Sequence, residues 1–314
     1  MKTFQYILKR ILIALFVIFI IATFTFWLSR AIPGGPFSGG DKPLPPTVLA
    51  NLERKYNLDK PIFEQYLLYM KDLCKLDFGL SMYNDSYTVN DYIQTRFPIS
   101  CTLGVFALML AVLLGIPMGI VSALRQNHWQ DNIIKVLTTL FISMPSFVVA
   151  SALMYYLGYK WGLLPIAKWG TWQQAVMPVL ALSVGPLATI TKYMKSSMLE
   201  VLNSDYVRTA RAKGAGHFRV IYIHTLRNAL LPILTIIGPM FAGIICGSFV
   251  VESIFAIPGL GKSFTEAIFN RDYTMIMGLT IFYSTLLIIV VLLIDIIYTF
   301  VDPRISLTKA KGES

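Results

Sequence analysis

The chain has 314 residues, of which 55% are hydrophobic and 14% are charged, and its formal net charge is +10. A soluble domain carries about 25% charged residues, so this composition excludes an ordinary soluble protein. The basic residues do not form a stripe with interleaved aromatic residues, which argues against nucleic acid as a partner.

Six stretches contain no Asp, Glu, Lys or Arg, and each is close to or above the roughly 20 apolar residues that cross a bilayer. We therefore expect an all-α integral membrane protein with six transmembrane helices. The apolar part of the first stretch exceeds the 7–15 residues or so of a signal peptide, so we expect it to stay uncleaved. The stretches are residues 11–29, 97–124, 136–159, 169–191, 228–251 and 273–294.

Two further helices are predicted between the first two spans, in "TVLANLERKYNL" and "PIFEQYLLYMKDLCKL", whose apolar residues recur at helical spacing. They form a small helical outer segment. The predicted domains are residues 1–30 (tail and first span), 31–96 (extracytoplasmic segment) and 97–314 (a five-helix core). The core includes a strongly basic loop at residues 192–228.

The membrane orientation follows from the basic residues of the short loops, which concentrate on the cytoplasmic side of membrane proteins. Placing the N-terminus inside puts the strongly basic loop 192–228 and the basic C-terminal residues on the same inner side. We therefore expect both termini to be cytoplasmic.

The inner loop contains "DYVRTARAKGAG", which predicts a short helix from Arg208 to Lys213 that ends at Gly214 and Gly216. Small alanines among basic side chains suit a helix that docks in a groove of a partner protein. The alternative is a solvated basic loop that serves only membrane topology.

The outer loop stretch "AIPGLGKS" differs by one residue from a phosphate-binding P-loop, because Ala256 stands at the first glycine position. It follows a predicted membrane helix rather than a strand and lies on the outer side. We predict a turn that re-enters toward the membrane, with no bound nucleotide. The histidines lack a carboxylate or thiol partner at metal-ligand spacing, so no metal site is predicted.

Prolines inside the spans predict kinked helices around a pathway, because freed backbone groups are tolerated next to a cavity. Glu252 is a candidate for binding the amino group of a substrate. Asp295 is an ionisable residue inside a span, for which a structural hydrogen bond is favoured over proton coupling. The other pathway candidates are Met144, Pro145, Ser146, Phe147 and Pro239.

"DYVRTARAKGAG" followed by "HTLRNALLPI" resembles the signature loop of permease subunits in bacterial ABC importers of dipeptides and oligopeptides. "YNLDKPIFEQY", "DFGLS", "SMPSF", "VVESIFAIPGLG" and the terminal "DPR" extend the resemblance over essentially the whole chain. Arg208, Thr209 and Ala210 stand where the broader importer family has Glu-Ala-Ala, and Gly214 stays in register. This divergent form is similar to that of the peptide-importer group.

The resemblance implies the type I ABC importer permease fold. It further implies that residues 192–228 are a cytoplasmic coupling loop, whose helix couples the chain to an ATPase. It also implies a bacterial cytoplasmic (inner) membrane location and no ATPase activity in this chain, with ATP and Mg²⁺ bound by partners. The implied partners are a homologous second permease, two ATP-binding subunits, an extracytoplasmic substrate-binding protein, the peptide and the lipid bilayer. The implied coupling residues are Tyr206, Arg208, Thr209, Ala210, Arg211, Ala212, Lys213, Gly214 and Ala215.

Alternative functions stay open at this point. The same resemblance covers importers of glutathione and of chelated nickel. An ion-coupled secondary transporter would use Asp295 and need no ATPase, and an inverted repeat that would support it is not visible. An intramembrane enzyme would need a nucleophile or a metal set that the sequence does not offer.

Overall fold

The computed structural model describes residues 2–31, 35–37 and 45–301, and the fold within these ranges is helical. The β pairing found in them is one isolated bridge between Leu80 and Thr88. Two π-helical segments, Met154–Lys160 and Val220–Leu226, continue the helices that precede them. The α-helices are α1 Lys2–Ala31, α2 Pro46–Lys55, α3 Ile62–Leu73, α4 Val89–Leu124, α5 Trp129–Ser143, α6 Ser146–Leu153, α7 Trp172–Leu202, α8 Asp205–Ala212, α9 His217–Arg219, α10 Arg227–Ala229, α11 Leu231–Gly247, α12 Phe249–Ile254, α13 Leu260–Phe269 and α14 Tyr273–Val301.

Five helical segments of the described residues are long and apolar enough to cross a membrane, or six if one bent pair is a single span. They coincide with the predicted spans, which confirms an all-α multi-pass membrane protein. The five segments are Leu8–Ala31, Val89–Leu124, Trp172–Leu202, Leu231–Ile254 and Tyr273–Ile294.

The third predicted span is not one straight helix. It consists of Trp129–Ser143 and Ser146–Lys160, which meet at an angle of 101°. The break falls at Met144 and Pro145, which both have extended backbone conformations, with ψ of 117° and 141°. Proline has no N–H to donate, and it disfavours the helical conformation in the residue before it. These two local effects place the bend.

Helix α4 packs unusually close to α7 through the sequence "GIPMG", which is a G-x-x-x-G motif. A Cβ atom added at Gly115 would lie 3.0 Å from the carbonyl oxygen of Leu187, and one at Gly119 would lie 2.8 Å from that of Thr191. Small residues let membrane helices approach closely, where van der Waals packing holds them together. The two glycines therefore set the distance between these helices.

The chain forms two compact units, and the first comprises the described residues of Met1–Ser100 with Pro258–Ile289. The two predicted outer helices are present in it as α2 and α3. In this unit the Asp272 carboxylate accepts hydrogen bonds from Ser81 Oγ at 2.5 Å and from the Met275 N–H at 3.0 Å. The Tyr56 hydroxyl donates to the Ser81 carbonyl at 2.7 Å. Burial, followed by the Asp272 and Asp85 carboxylates, raises the pKa of Tyr56 to about 12.

The second unit comprises Cys101–Ile257 and the described residues from Val290. Its core is formed by side chains of α4, α7 and the helical run from α9 to α11. Fully buried members include Ala111, Ile190, Met194 and Ala229. The predicted domains separate segments according to the side of the membrane on which they lie. The two compact units separate them according to packing, so the predicted boundaries stay a prediction.

The stretch that resembles a P-loop follows helix α12 and leads into α13. Ala256 has a left-handed φ of 51°, and Gly259 is the N-terminal cap of α13. The N–H of Leu260 donates to Ser100 Oγ at 2.9 Å. A P-loop follows a strand and donates its backbone N–H groups to phosphate. This stretch follows a helix instead and forms a turn, as predicted.

Replacing Gly119 by Ala should destabilise the second unit by about 1–3 kcal/mol, because the new methyl group meets the backbone of α7. The thermal unfolding midpoint of the chain in mild detergent measures this effect. Gly185→Ala is the matched control, since nothing lies within 4 Å of a Cβ added there. Equal midpoints for the two variants would show that the close approach of α4 and α7 is not required.

Candidate functional site

The predicted loop helix is present as α8, and the backbone leaves the helical conformation at both of its ends. Ser204 is its N-terminal cap residue, with an extended ψ of 152°. At the other end Gly214 adopts a left-handed φ of 83°, and its N–H donates to the Arg211 carbonyl at 2.9 Å. Glycine takes this conformation without the steric cost that a Cβ imposes, so the helix stops there.

One side of α8 is anchored to the rest of the second unit. Val207 is fully buried, and α8 packs against the π-helical segment Val220–Leu226. Asn228 Nδ2 donates a hydrogen bond of 3.0 Å to the Tyr206 hydroxyl. The buried Val207 side chain and the hydrogen bond of Tyr206 therefore hold α8 against the helical run that leads into α11.

The other side of α8 faces outward and carries most of the predicted coupling residues. Arg208 lies 3.7 Å from Asp205 and remains 69% exposed. The surface is therefore cationic with small side chains between the charges, as expected for a docking helix. Contact with an ATPase stays a prediction. The exposed residues are Tyr206, Arg208, Thr209, Arg211, Ala212, Lys213 and Gly214, and the partly buried ones are Ala210 and Ala215.

An exposed aromatic pair on the neighbouring helical run was not predicted from the sequence. Phe218 and Tyr222 are 76% and 60% exposed, and their rings stack with centroids 6.2 Å apart. Their spacing of four residues in "HFRVIY" is the signal that indicates a shared helix face. Tyr222 belongs to the π-helical segment against which α8 packs.

A cavity of about 370 Å³ lies between the broken helix pair, α7 and α11. It brings together two predicted pathway residues, Met144 and Ser146, which flank the bend. Pro145 and Phe147 are their chain neighbours, and Pro239 precedes a residue of the cavity wall. The wall is formed by Met144, Ser146, Ala181, Leu182, Val184, Gly185, Pro186, Thr189, Met240, Gly243 and Ile244.

Glu252, one of the two predicted acidic candidates, does not lie at this cavity wall. Glu252 is fully buried, and its carboxylate accepts a hydrogen bond of 2.6 Å from Ser248 Oγ. This conformation therefore encloses the carboxylate, and contact with a substrate amino group stays a prediction. The side chain of Asp295 lies outside the described residues, so its role is an untested prediction as well.

A buried ionic cluster was missed by the sequence analysis. Asp131 at the start of α5 is fully buried, which is rare for an acidic side chain. Lys135 Nζ and Lys195 Nζ lie 2.9 and 2.5 Å from its carboxylate. Lys135 is four residues away on the same helix, but Lys195 is 64 residues away on α7. No local pattern indicates the second pair.

Two protein families match this chain. The family described as binding-protein-dependent transport system inner membrane component matches residues 115–307. The N-terminal region of the membrane component of binding-protein-dependent transport systems matches residues 3–104.

Named relatives are similar along nearly the whole chain. The dipeptide transport system permease protein DppB of Bacillus subtilis (strain 168) is 44% identical over 305 residues, which are 97% of this chain and 99% of the relative. The oligopeptide transport system permease protein OppB of Haemophilus influenzae is 44% identical over 303 residues, which are 96% and 99% of the two chains. OppB of Escherichia coli (strain K12) is 42% identical with the same coverage.

A solved structure supports the fold. A chain of the MetNI methionine ABC transporter, in inward facing conformations, matches with a TM-score of 0.50 and 18% sequence identity. The match covers 67% of this chain and 92% of the other. The expected ABC importer permease fold is thereby confirmed.

Replacing Gly214 by Ala should loosen the end of α8, because a left-handed conformation costs a residue with a Cβ about 1–2 kcal/mol. Trypsin cleavage at Arg211 and Lys213 in the folded protein should then be roughly 5–30 times faster, which corresponds to that free energy. Gly216→Ala is the control, because both positions have open space around an added Cβ. Equal cleavage of both variants would contradict this explanation of the helix end.

Proposed function

Because this chain belongs to the family of binding-protein-dependent transport system inner membrane components, we propose that it is the permease subunit of an ATP-driven importer of peptides. It forms half of a translocation pathway for di- or oligopeptides across a bacterial cytoplasmic membrane. The observation that carries the proposal is the similarity to DppB and OppB proteins along 96–97% of the chain.

The proposed partners follow from this assignment. A homologous second permease completes the pathway, and an extracytoplasmic binding protein delivers the peptide. Two separate subunits bind ATP and Mg²⁺ and hydrolyse the nucleotide. The exposed, cationic side of α8 supports an ATPase contact, since it is anchored on one side through Val207 and presents small and basic residues on the other.

The orientation of the chain is part of the same proposal. The N-terminus, the C-terminus and the loop with α8 are cytoplasmic, and the segment with α2 and α3 is extracytoplasmic. Support comes from the excess of Lys and Arg in the loop 192–228, which is the orientation signal of membrane proteins.

Helix α7 offers a physical route from the loop helix to the cavity. It lines the cavity between Ala181 and Thr189 and ends at Leu202, two residues before Ser204 caps α8. The distance along the helix from Thr189 to Leu202 is roughly 20 Å. A rigid helix that is displaced at one end is also displaced at the other. Movement of α8 by a closing ATPase pair would therefore displace α7 and, with it, the cavity wall. This is a rigid-body mechanism.

The test begins with purification of the chain from its native membrane in mild detergent. We expect a second permease and ATP-binding subunits to copurify. Reconstituted with the binding protein, this complex should take up labelled peptides with ATP but not with a non-hydrolysable analogue. Uptake driven by an ion gradient without ATP would contradict the proposal and favour a secondary transporter. Uptake restricted to chelated nickel or glutathione would contradict a general peptide substrate.

Replacing Ala210 by Glu should abolish ATP-driven uptake, because a bulky carboxylate would stand in the small-residue part of the docking side. The chain should still insert into the membrane and copurify with the second permease. Ala210→Ser is the control, since it keeps the volume small, and it should retain uptake. Normal uptake by the Glu variant would remove α8 from the coupling surface.

A further inference from the structure

The Asp131 carboxylate is a fully satisfied buried anion. One oxygen accepts from Ser122 Oγ at 2.5 Å and from Lys195 Nζ at 2.5 Å. The other accepts from the N–H of Asn127 and from Lys135 Nζ, each at 2.9 Å. Four donors therefore occupy the acceptor positions of one carboxylate. We call these five residues the Asp131 cluster.

The cluster joins three helices and one connection of the second unit. Ser122 lies in the last turn of α4, Asn127 lies in the short connection, and Asp131 lies in the first turn of α5. Lys195 comes from α7, which packs along α5. The Asn127 backbone has a left-handed φ of 64°, which turns its N–H toward the carboxylate. The connection is therefore shaped around this anion.

The cluster lies between the two features that the proposed function connects. Lys195 is seven residues before the end of α7, and α8 follows. Asp131 and Met144 mark the two ends of α5, roughly 20 Å apart along the helix. Met144 and Ser146 belong to the cavity wall, as do residues 181–189 of α7. Helices α5 and α7 are thus pinned together at one end and enclose the cavity at the other.

We propose that the Asp131–Lys195 pair is a positioning link that makes α5 and α7 move as one body, so that displacement of the loop helix α8 reaches the bent wall at Met144 and Ser146. This inference rests on the proposed function. Without the link, only the packing of α5 along α7 would carry the displacement, and the cavity wall would respond less to nucleotide hydrolysis.

Two lysines contact the same carboxylate, but they differ in burial. The side chain of Lys195 is 17% exposed, and that of Lys135 is 47% exposed. A water-accessible ion pair contributes little, because solvent screens it and either partner can be solvated alone. A buried pair leaves an uncompensated charge when one partner is removed. The structure therefore assigns the link to Lys195 and makes Lys135 the internal control.

The experiment uses the complete complex, reconstituted with its partner subunits and binding protein, and measures the amount of peptide taken up per ATP hydrolysed. For Lys195→Met we expect this ratio to fall about tenfold or more, which is within the usual range of coupling between sites. Lys135→Met should stay within about twofold of the unchanged protein, because an exposed pair contributes little. Lys195→Arg keeps the charge and should restore most of the ratio.

A double variant separates coupling from folding. Asp131→Asn combined with Lys195→Met removes both buried charges, so it should assemble even if one single variant does not. If the pair is a positioning link, the double variant hydrolyses ATP but still couples it poorly to uptake. If it assembles and couples as well as the unchanged protein, the pair serves only charge balance and the inference is overturned.

The same measurement distinguishes this inference from the proposed function. A complex with the unchanged chain that hydrolyses ATP without any peptide uptake would overturn the proposed function, and this inference with it. A coupled unchanged complex together with a coupled double variant would overturn the positioning link alone.

Discussion

The close packing of α4 on α7 is the contact on which the rest of the second unit depends. Helices in a bilayer gain nothing by hiding apolar surface from lipid, so they associate where backbones approach closely. Gly115 and Gly119 permit that approach, with the α7 carbonyl oxygens of Leu187 and Thr191 directly opposite. This contact fixes the position of α7 against α4. Helix α7 in turn forms part of the cavity wall, contributes Lys195 to the Asp131 cluster and leads into α8.

Two kinds of charge serve opposite purposes in this unit. The cations of α8, such as Arg208 and Arg211, stay exposed and give the loop a surface that another protein can recognise. Asp131 and Lys195 are withdrawn from water, and their geometry is set by four hydrogen bonds to one carboxylate. Exposed charges favour specificity and orientation, whereas a buried pair holds two helices in one arrangement.

The bend at Pro145 gives the cavity its shape. Because Met144 and Pro145 are extended, the chain changes direction by 101° and the flanking residues face the cavity. An irregular backbone is tolerated within a membrane protein where it lines a cavity rather than lipid, and the bend meets this condition.

The sequence by itself determined the features that depend on local chemistry. Charge-free stretches of sufficient length located the spans, and Gly214 located the end of α8, because span length and left-handed glycine are properties of a few neighbouring residues. The motif combination in "DYVRTARAKGAG" and the rest of the chain identified the family. The turn at Ala256 was also predictable, since Pro258 and Gly259 follow it two and three residues later.

Only the tertiary structure decided which distant residues meet. Met144 shares a cavity with Gly185 and Met240, and Asp131 pairs with Lys195 across 64 residues of sequence. Neither contact produces a periodic pattern in the sequence. The partner is determined by which helices pack together, and the chain between the two residues only has to be long enough to connect them. The sequence neighbours of Asp131 do not indicate that its carboxylate is buried, because the burial depends on α7, which brings Lys195 to it.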